Sequence, residues 1–172
     1  MATLHHNISG ESTQELLAAG DGISVSKISL TNTQKVSKCK VDLYIEKKLT
    51  GKFYLLKGVE LPIGATLIYD GIKFSNANGE YGLYIKLTDG ATFTLTGSID
   101  PTGTNTNVPG TSTLYTSELS IGDEIVVSGE TRIIDCITSD TTATVSAAWG
   151  SDLANDTTPD CNPTALVDVM IN

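Results

Sequence analysis

The run GISVSKISLTNTQKVSKCKVDLYIEK, residues 22–47, decides the fold class. Its second half alternates: Val41, Leu43 and Ile45 fall on one side, and Lys40, Asp42, Tyr44 and Glu46 on the other. Period two with β-branched residues is the pattern of a strand buried on one face. Its first half sets Ile23, Val25, Ile28 and Leu30 on apolar positions, with a one-residue slip near Lys27 that predicts a β-bulge. Downstream, KFYLLKGVEL follows across the Gly-containing turn LTGK, which predicts a hairpin. Pro62 and Gly64 mark the next turn, and a strand resumes over 66–69. YGLYIKLTDGATFTLTGSID, residues 81–100, reads as strand, Asp89-Gly90 turn and strand. Upstream, Ser12-x-x-Glu15 has the form of a helix capping box, but TQELLAAG reads better as a strand feeding the quoted run.

Residues 101–113, PTGTNTNVPGTST, lack periodicity and read as a linker. Beyond them, short strands are predicted over 124–128, 131–138 and 142–147, joined by turns at Gly129 and Asp140. SDLANDTTPDCNP reads as a loop, and ALVDVMIN as a last strand that could belong to either part. The expectation is an all-β chain. Residues 1–100 form a β-sandwich, jelly-roll or Ig-like, that docks and oligomerises. Residues 101–172 form a small, acidic, β-barrel-like module.

The chain has 172 residues and a formal net charge of −9. Residues 1–97 carry ten lysines against nine acids, whereas 98–172 carry one base, Arg132, against eleven acids. Such a balance disfavours nucleic acid, because phosphate contacts need a basic face. No window is apolar enough for a transmembrane helix, so no membrane partner is expected. MATLHHNISGES has neither the basic nor the apolar region of a secretory signal. Three irregularly spaced cysteines, Cys39, Cys136 and Cys161, give no disulfide framework and predict reduced thiols. Cys39 and Cys136 read as core or half-buried side chains, and a Cys136–Cys161 pair stays open.

No catalytic constellation emerges. His5 and His6 are adjacent, so on a strand they point to opposite faces and cannot share an ion. A Ser-His-Asp triad would need one of them, and no nucleophile-elbow motif occurs. Asp123 follows Gly122 in a turn, where such a carboxylate usually serves its own backbone. Asp152, Asp156 and Asp160 do not have the spacing of an EF-hand loop. No phosphate-cradling glycine motif is present. The expectation is therefore no enzyme, no catalytic residues, no cofactor and no metal.

What remains is surface. Lys38 and Lys40 share a strand face, and Lys47, Lys48 and Lys52 surround a hairpin tip. Lysine on exposed strand edges blocks unwanted pairing. It also offers contacts to an acidic protein surface. With Tyr44, Tyr54 and Trp149 as aromatic anchors, these lysines are the interface candidates. Trp149 also reads as the plug of the second module's core.

Two stretches carry a resemblance. Residues 23–71 and 82–100 contain an S-L-T-N strand end, D-L-Y-I, Y-L-L-K-G-V-x-L-P-x-G-A-T-L and a closing F-T-L-T-G-S. They resemble β-sandwich domains of head, neck and tail accessory proteins in tailed bacteriophages. Residues 109–150 are similar to a small module appended to such proteins, G-T-x-x-F/Y-x-x-x-L-x-x-G-D-x-I-x-x-x-G-E-x-R-x-V-x-x-I-x-S-D-T-x-x-T-V. Tyr115 stands at its aromatic position and Ile134 at its valine. The first 22 residues and the Cys161 tail have no counterpart. The resemblance implies a non-enzymatic virion structural protein assembled in the host bacterial cytoplasm. It would be a capsid decoration or cement subunit, a homo-oligomer such as a trimer, that binds the major capsid protein or other virion proteins. A neck, collar or tail adaptor is the near alternative, and a host-glycan attachment module the further one. It transfers no catalytic residue.

Overall fold

A computed structural model describes residues 3–47, 51–77 and 79–172. Lys48, one of the interface candidates, lies outside them. The chain divides into two compact units. The first comprises Met1–Gln34, Lys38–Asp89 and Ala165–Asn172, and the second Lys35–Ser37 and Gly90–Thr164.

The first unit is built from β1 (Leu4–Ser9), β2 (Gln14–Leu17), β3 (Ser24–Asn32), β4 (Cys39–Lys47), β5 (Gly51–Leu61), β6 (Thr66–Ser75) and β7 (Gly82–Thr88), closed by the last strand of the chain, Leu166–Ile171. Four antiparallel pairs are nested: β1 with the last strand, β2 with β7, β3 with β6, and β4 with β5. That is a long hairpin folded back on itself. Rolling it up gives two four-stranded sheets, ordered β1–last strand–β3–β6 and β2-β7-β4-β5. This nested order defines a jelly roll and settles the choice between jelly-roll and Ig-like sandwiches.

Alternation builds the core. Val41 and Leu43 of β4, Leu83, Ile85 and Leu87 of β7, Ile28 and Leu30 of β3, and Val167, Val169 and Ile171 of the last strand are buried in one cluster. The slip near Lys27 is a real irregularity, with the β3–β6 register shifting between Val25 and Lys27. The expected β4–β5 hairpin forms, and TQELLAAG yields a strand rather than a helix. Both long edge strands are interrupted by a left-handed glycine, Gly58 (φ 60°) in β5 and Gly71 (φ 70°) in β6. Such kinks blunt an edge against further strand pairing.

The second unit contains β8 (Phe93–Thr94), β9 (Ser98–Ile99), β10 (Asn107–Thr111), the four-residue helix α1 (Tyr115–Glu118), β11 (Glu124–Val127), β12 (Glu130–Ser139), β13 (Thr142–Val145) and β14 (Asp160–Asn162). The closing strand Leu166–Ile171 is therefore β15. Here one sheet runs β8-β14-β11-β12-β13-β10-β9 over a core of Tyr115, Leu119, Ile125, Ile134, Val145 and Trp149. Lys35 Nζ donates to the carbonyls of Thr116 and Leu119 at 3.1 and 2.9 Å, satisfying acceptors at the end of α1.

Several expectations are corrected. The second sheet is not barrel-like: its end strands β8 and β9 have two residues each and do not pair with one another. Asp89-Gly90 is not a hairpin turn, because β7 is already paired on both sides, by β2 and β4. The division falls there instead of at residue 100, and the presumed linker 101–113 contributes β10 to the second sheet. The presumed loop 151–163 supplies β14. The final strand belongs to the first unit, so the second unit is an insertion between β7 and β15. Cys136 is exposed, because the register shift after Ile134 turns it outward; Cys39 and Cys161 are buried, and all three are free thiols.

The residues that flank 90–164 meet: Ala165 N donates to Asp89 Oδ1 at 2.6 Å. Replacing 90–164 by a short glycine linker should therefore leave a folded jelly roll. Ending the chain at 164 should not. It removes Val167, Val169 and Ile171, each 1% exposed. Their burial is worth about 5–9 kcal/mol together, comparable to the stability of a whole domain. Circular dichroism melting of the two shortened chains checks this: a cooperative transition for the excision, none for the jelly roll of the truncation.

Candidate functional site

The outward positions of the sheet β2-β7-β4-β5 carry the most organised surface chemistry. Register places Glu15 of β2 opposite Tyr84 of β7, Tyr84 opposite Tyr44 of β4, and Tyr44 opposite Tyr54 of β5. One row thus crosses all four strands. Cross-strand neighbours on one face interact as a unit. Tyr44 stacks on Tyr84 with centroids 5.8 Å apart and tilts against Tyr54 at 5.5 Å. Lys52 caps the row: its ammonium lies 4.4 Å from the Tyr44 ring centre and donates to Tyr44 Oη at 3.1 Å. Gly82 makes room, since a Cβ there would lie 2.9 Å from the Tyr84 ring.

Beside this row lies a groove of about 530 Å³, lined by Glu15, Tyr44, Glu46, Lys52, Glu80 and Tyr84 among others. Its polar groups are held in place. Tyr84 Oη donates to Glu15 Oε2 at 2.8 Å, and Lys47 Nζ donates to Glu80 Oε1 at 2.9 Å. The Glu15 carboxylate, followed by burial, pushes the Tyr84 phenol up to about 12. The hydrogen bond to Glu80 raises the Lys47 ammonium, and that to Tyr44 raises Lys52.

The interface candidates are placed as follows. Lys38 pairs with Glu60 at 2.8 Å and Lys47 with Glu80, so neither presents an uncompensated charge. Lys40 is exposed on β4. Tyr54 is 42% exposed, with the Lys57 ammonium 4.7 Å from its ring centre. Tyr44 is no protruding anchor: at 1% exposure it is covered by Lys52, Tyr54 and Tyr84. Trp149 is no surface anchor either. It is equally buried in the second core, its Nε1 donates to the Asn107 carbonyl at 3.1 Å, and the Arg132 guanidinium lies 5.4 Å from its ring. The sequence reading named Tyr44, Tyr54 and Lys47 but missed Glu15, which accepts from Tyr84, and Glu80, which accepts from Lys47. Only the pairing of β2 with β7 brings Glu15 to Tyr84.

The aspartates weighed for chemistry in the sequence are held by neighbouring amides and, at Asp160, by a hydroxyl. Asp123 accepts from the amides of Ser120 and Thr164 at 2.8 and 2.9 Å. Asp152 accepts from Gly103 N, Asp156 from Ser128 N and Thr158 N, and Asp160 from Thr94 Oγ1. Among the described residues, no three metal-ligating side chains converge. His5 and His6 take opposite faces of β1; burial, then the charge of His5, lowers His6.

No family model matches the chain, and no curated protein matches it. A solved structure that does match is a serine protease of Aeromonas sobria, at 9% identity and TM-score 0.29, covering 100% of this chain and 27% of that one. The chain therefore spans about a quarter of that protein's length. On this finding the expectation that the chain is no enzyme is withdrawn as a correction. A likeness of this size carries no argument about mechanism.

Two outcomes follow from the geometry. Trp149→Ala should cost the second unit about 3–5 kcal/mol, the usual penalty for emptying a buried aromatic site. Denaturant unfolding followed by circular dichroism reads it; a surface anchor would leave the midpoint unmoved. Tyr84 has a folded pKa raised above its ordinary value of 10, to about 12. Its contribution to stability is therefore complete below pH 10 and is lost as pH rises from 10 to about 12. Ultraviolet titration of tyrosinate should show a phenol ionising near 12 that returns towards 10 in Glu15→Gln.

Proposed function

We propose that this chain is a virion structural protein of a tailed bacteriophage, a capsid decoration or cement subunit that binds the shell through protein–protein contacts. The observation that carries the reading is the motif over residues 109–150, together with the role each of its positions plays. Tyr115, Leu119, Ile125, Ile134 and Val145 are all core residues of the second unit. Asp123 ties the turn at Gly122 to Thr164, and Glu130 pairs with Arg132 at 2.7 Å. These positions therefore belong to one packed unit, which supports reading the motif as a module.

The jelly roll supports the same reading by analogy alone, since that fold serves viral shells among other roles. A shell offers many equivalent sites, so a modest interface suffices when many copies bind one particle. The kinked edges of β5 and β6 favour docking through sheet faces or loops over strand addition along those edges.

Particles purified on a density gradient and imaged by cryo-electron microscopy test the proposal. The expected result is co-migration of the chain at fixed stoichiometry, with its density on capsomer axes. Density confined to the head–tail joint overturns the decoration role in favour of a neck, collar or tail adaptor. Absence from washed particles overturns the virion reading altogether.

A further inference from the structure

The groove beside the tyrosine row selects among ligand classes by what already occupies it. Its volume, about 530 Å³, lies within the range of small-ligand sites. Glu15, Glu46 and Glu80 face one lining ammonium, Lys52, so a phosphate, sulfate or carboxylate ligand meets excess negative charge. A cationic ligand would seek the faces of the rings. Of the two rings that line the groove, Tyr44 already carries the chain's own Lys52, 4.4 Å from its ring centre, and Tyr84 is stacked on Tyr44. A purely apolar ligand would strip water from the carboxylates without replacing their hydrogen bonds.

A neutral, hydroxyl-rich ring meets none of these objections. Its hydroxyls can donate to carboxylates and accept from an ammonium, and its C–H faces can cover aromatic surface. We infer that the groove binds a neutral saccharide, with Glu15 and Glu46 accepting from its hydroxyls, Lys52 donating to them, and Tyr84 forming an apolar wall. Three of the polar groups are positioned before any ligand arrives: Glu15 by Tyr84, Lys52 by Tyr44, and Glu80 by Lys47. Preorganisation of this kind lowers the ordering cost of binding. Trp149 is not involved, being buried in the second unit. The inference does not rest on the virion reading.

The full-length protein is applied to an array of neutral and acidic oligosaccharides, and the best neutral binder is measured by calorimetry. The expected result is retention of neutral glycans. Glu15→Gln and Glu46→Gln should each weaken binding roughly tenfold, the loss of one charge-assisted hydrogen bond, with a folded circular dichroism spectrum retained at the assay temperature. Ile133→Ser, in the second unit, should have no effect. If a groove variant fails to fold, amide chemical-shift mapping on the wild type replaces it. Shifts confined to 13–15, 44–46, 52 and 79–84 support the site, and shifts elsewhere overturn it. Retention of no neutral glycan, a preference for acidic ones, or indifference to both glutamine variants also overturns it. Gradient co-migration bears on the virion reading alone, so the two fail separately.

Discussion

The first unit depends on β15 finding its place between β1 and β3. This strand is interior to its sheet, paired with Leu4–Ser9 on one side and Ser24–Asn32 on the other. Its inward residues, Val167, Val169 and Ile171, complete a core begun near the N-terminus. The outermost nested pair therefore joins the two ends of the chain. Long-range pairing of this kind yields its contact energy only after the intervening loops have closed. The inserted second unit can lie within that closure because the hydrogen bond between Asp89 and Ala165 holds its two junctions together.

Closure of the roll leaves one face of each sheet for other work. On β4, Val41 and Leu43 face the core, which leaves Asp42 and Tyr44 on the opposite face. There the neighbouring strands bring Tyr84 and Tyr54 alongside, and the row gains its acid from β2 and its ammonium from β5. The lysines expected to form a cationic patch are largely drawn into this arrangement or into ion pairs. Lys52 lies on Tyr44, Lys57 on Tyr54, and Lys38 and Lys47 on glutamates. Exposed pairs of this type contribute little to stability. Their consequence is for recognition, because they remove free positive charge from the surface.

Much of the fold was legible in local pattern. Alternation located β3, β4 and β5, the slip at Lys27 announced an irregularity, and turn residues bounded β11, β12 and β13. The failures share one cause. Asp89-Gly90 has the composition of a hairpin turn, yet the strands beside it pair elsewhere. Residues 101–113 have the composition of a linker, yet Asn107–Thr111 lie between two partner strands that impose extension on them. Cys136 looked buried until a shift in the β12–β13 register turned it outward. In each case a distant partner decided what nearby residues left open.

By itself the sequence determined that this is an all-β protein, where most of its strands run and which side of each faces inward, because a period of two is a local property of the chain. The tertiary structure alone decided that the strands nest as a jelly roll, that the acidic unit is an insertion, and that Glu15 meets Tyr84. Strand partners and register are set by contacts between residues far apart in sequence, which no local pattern encodes.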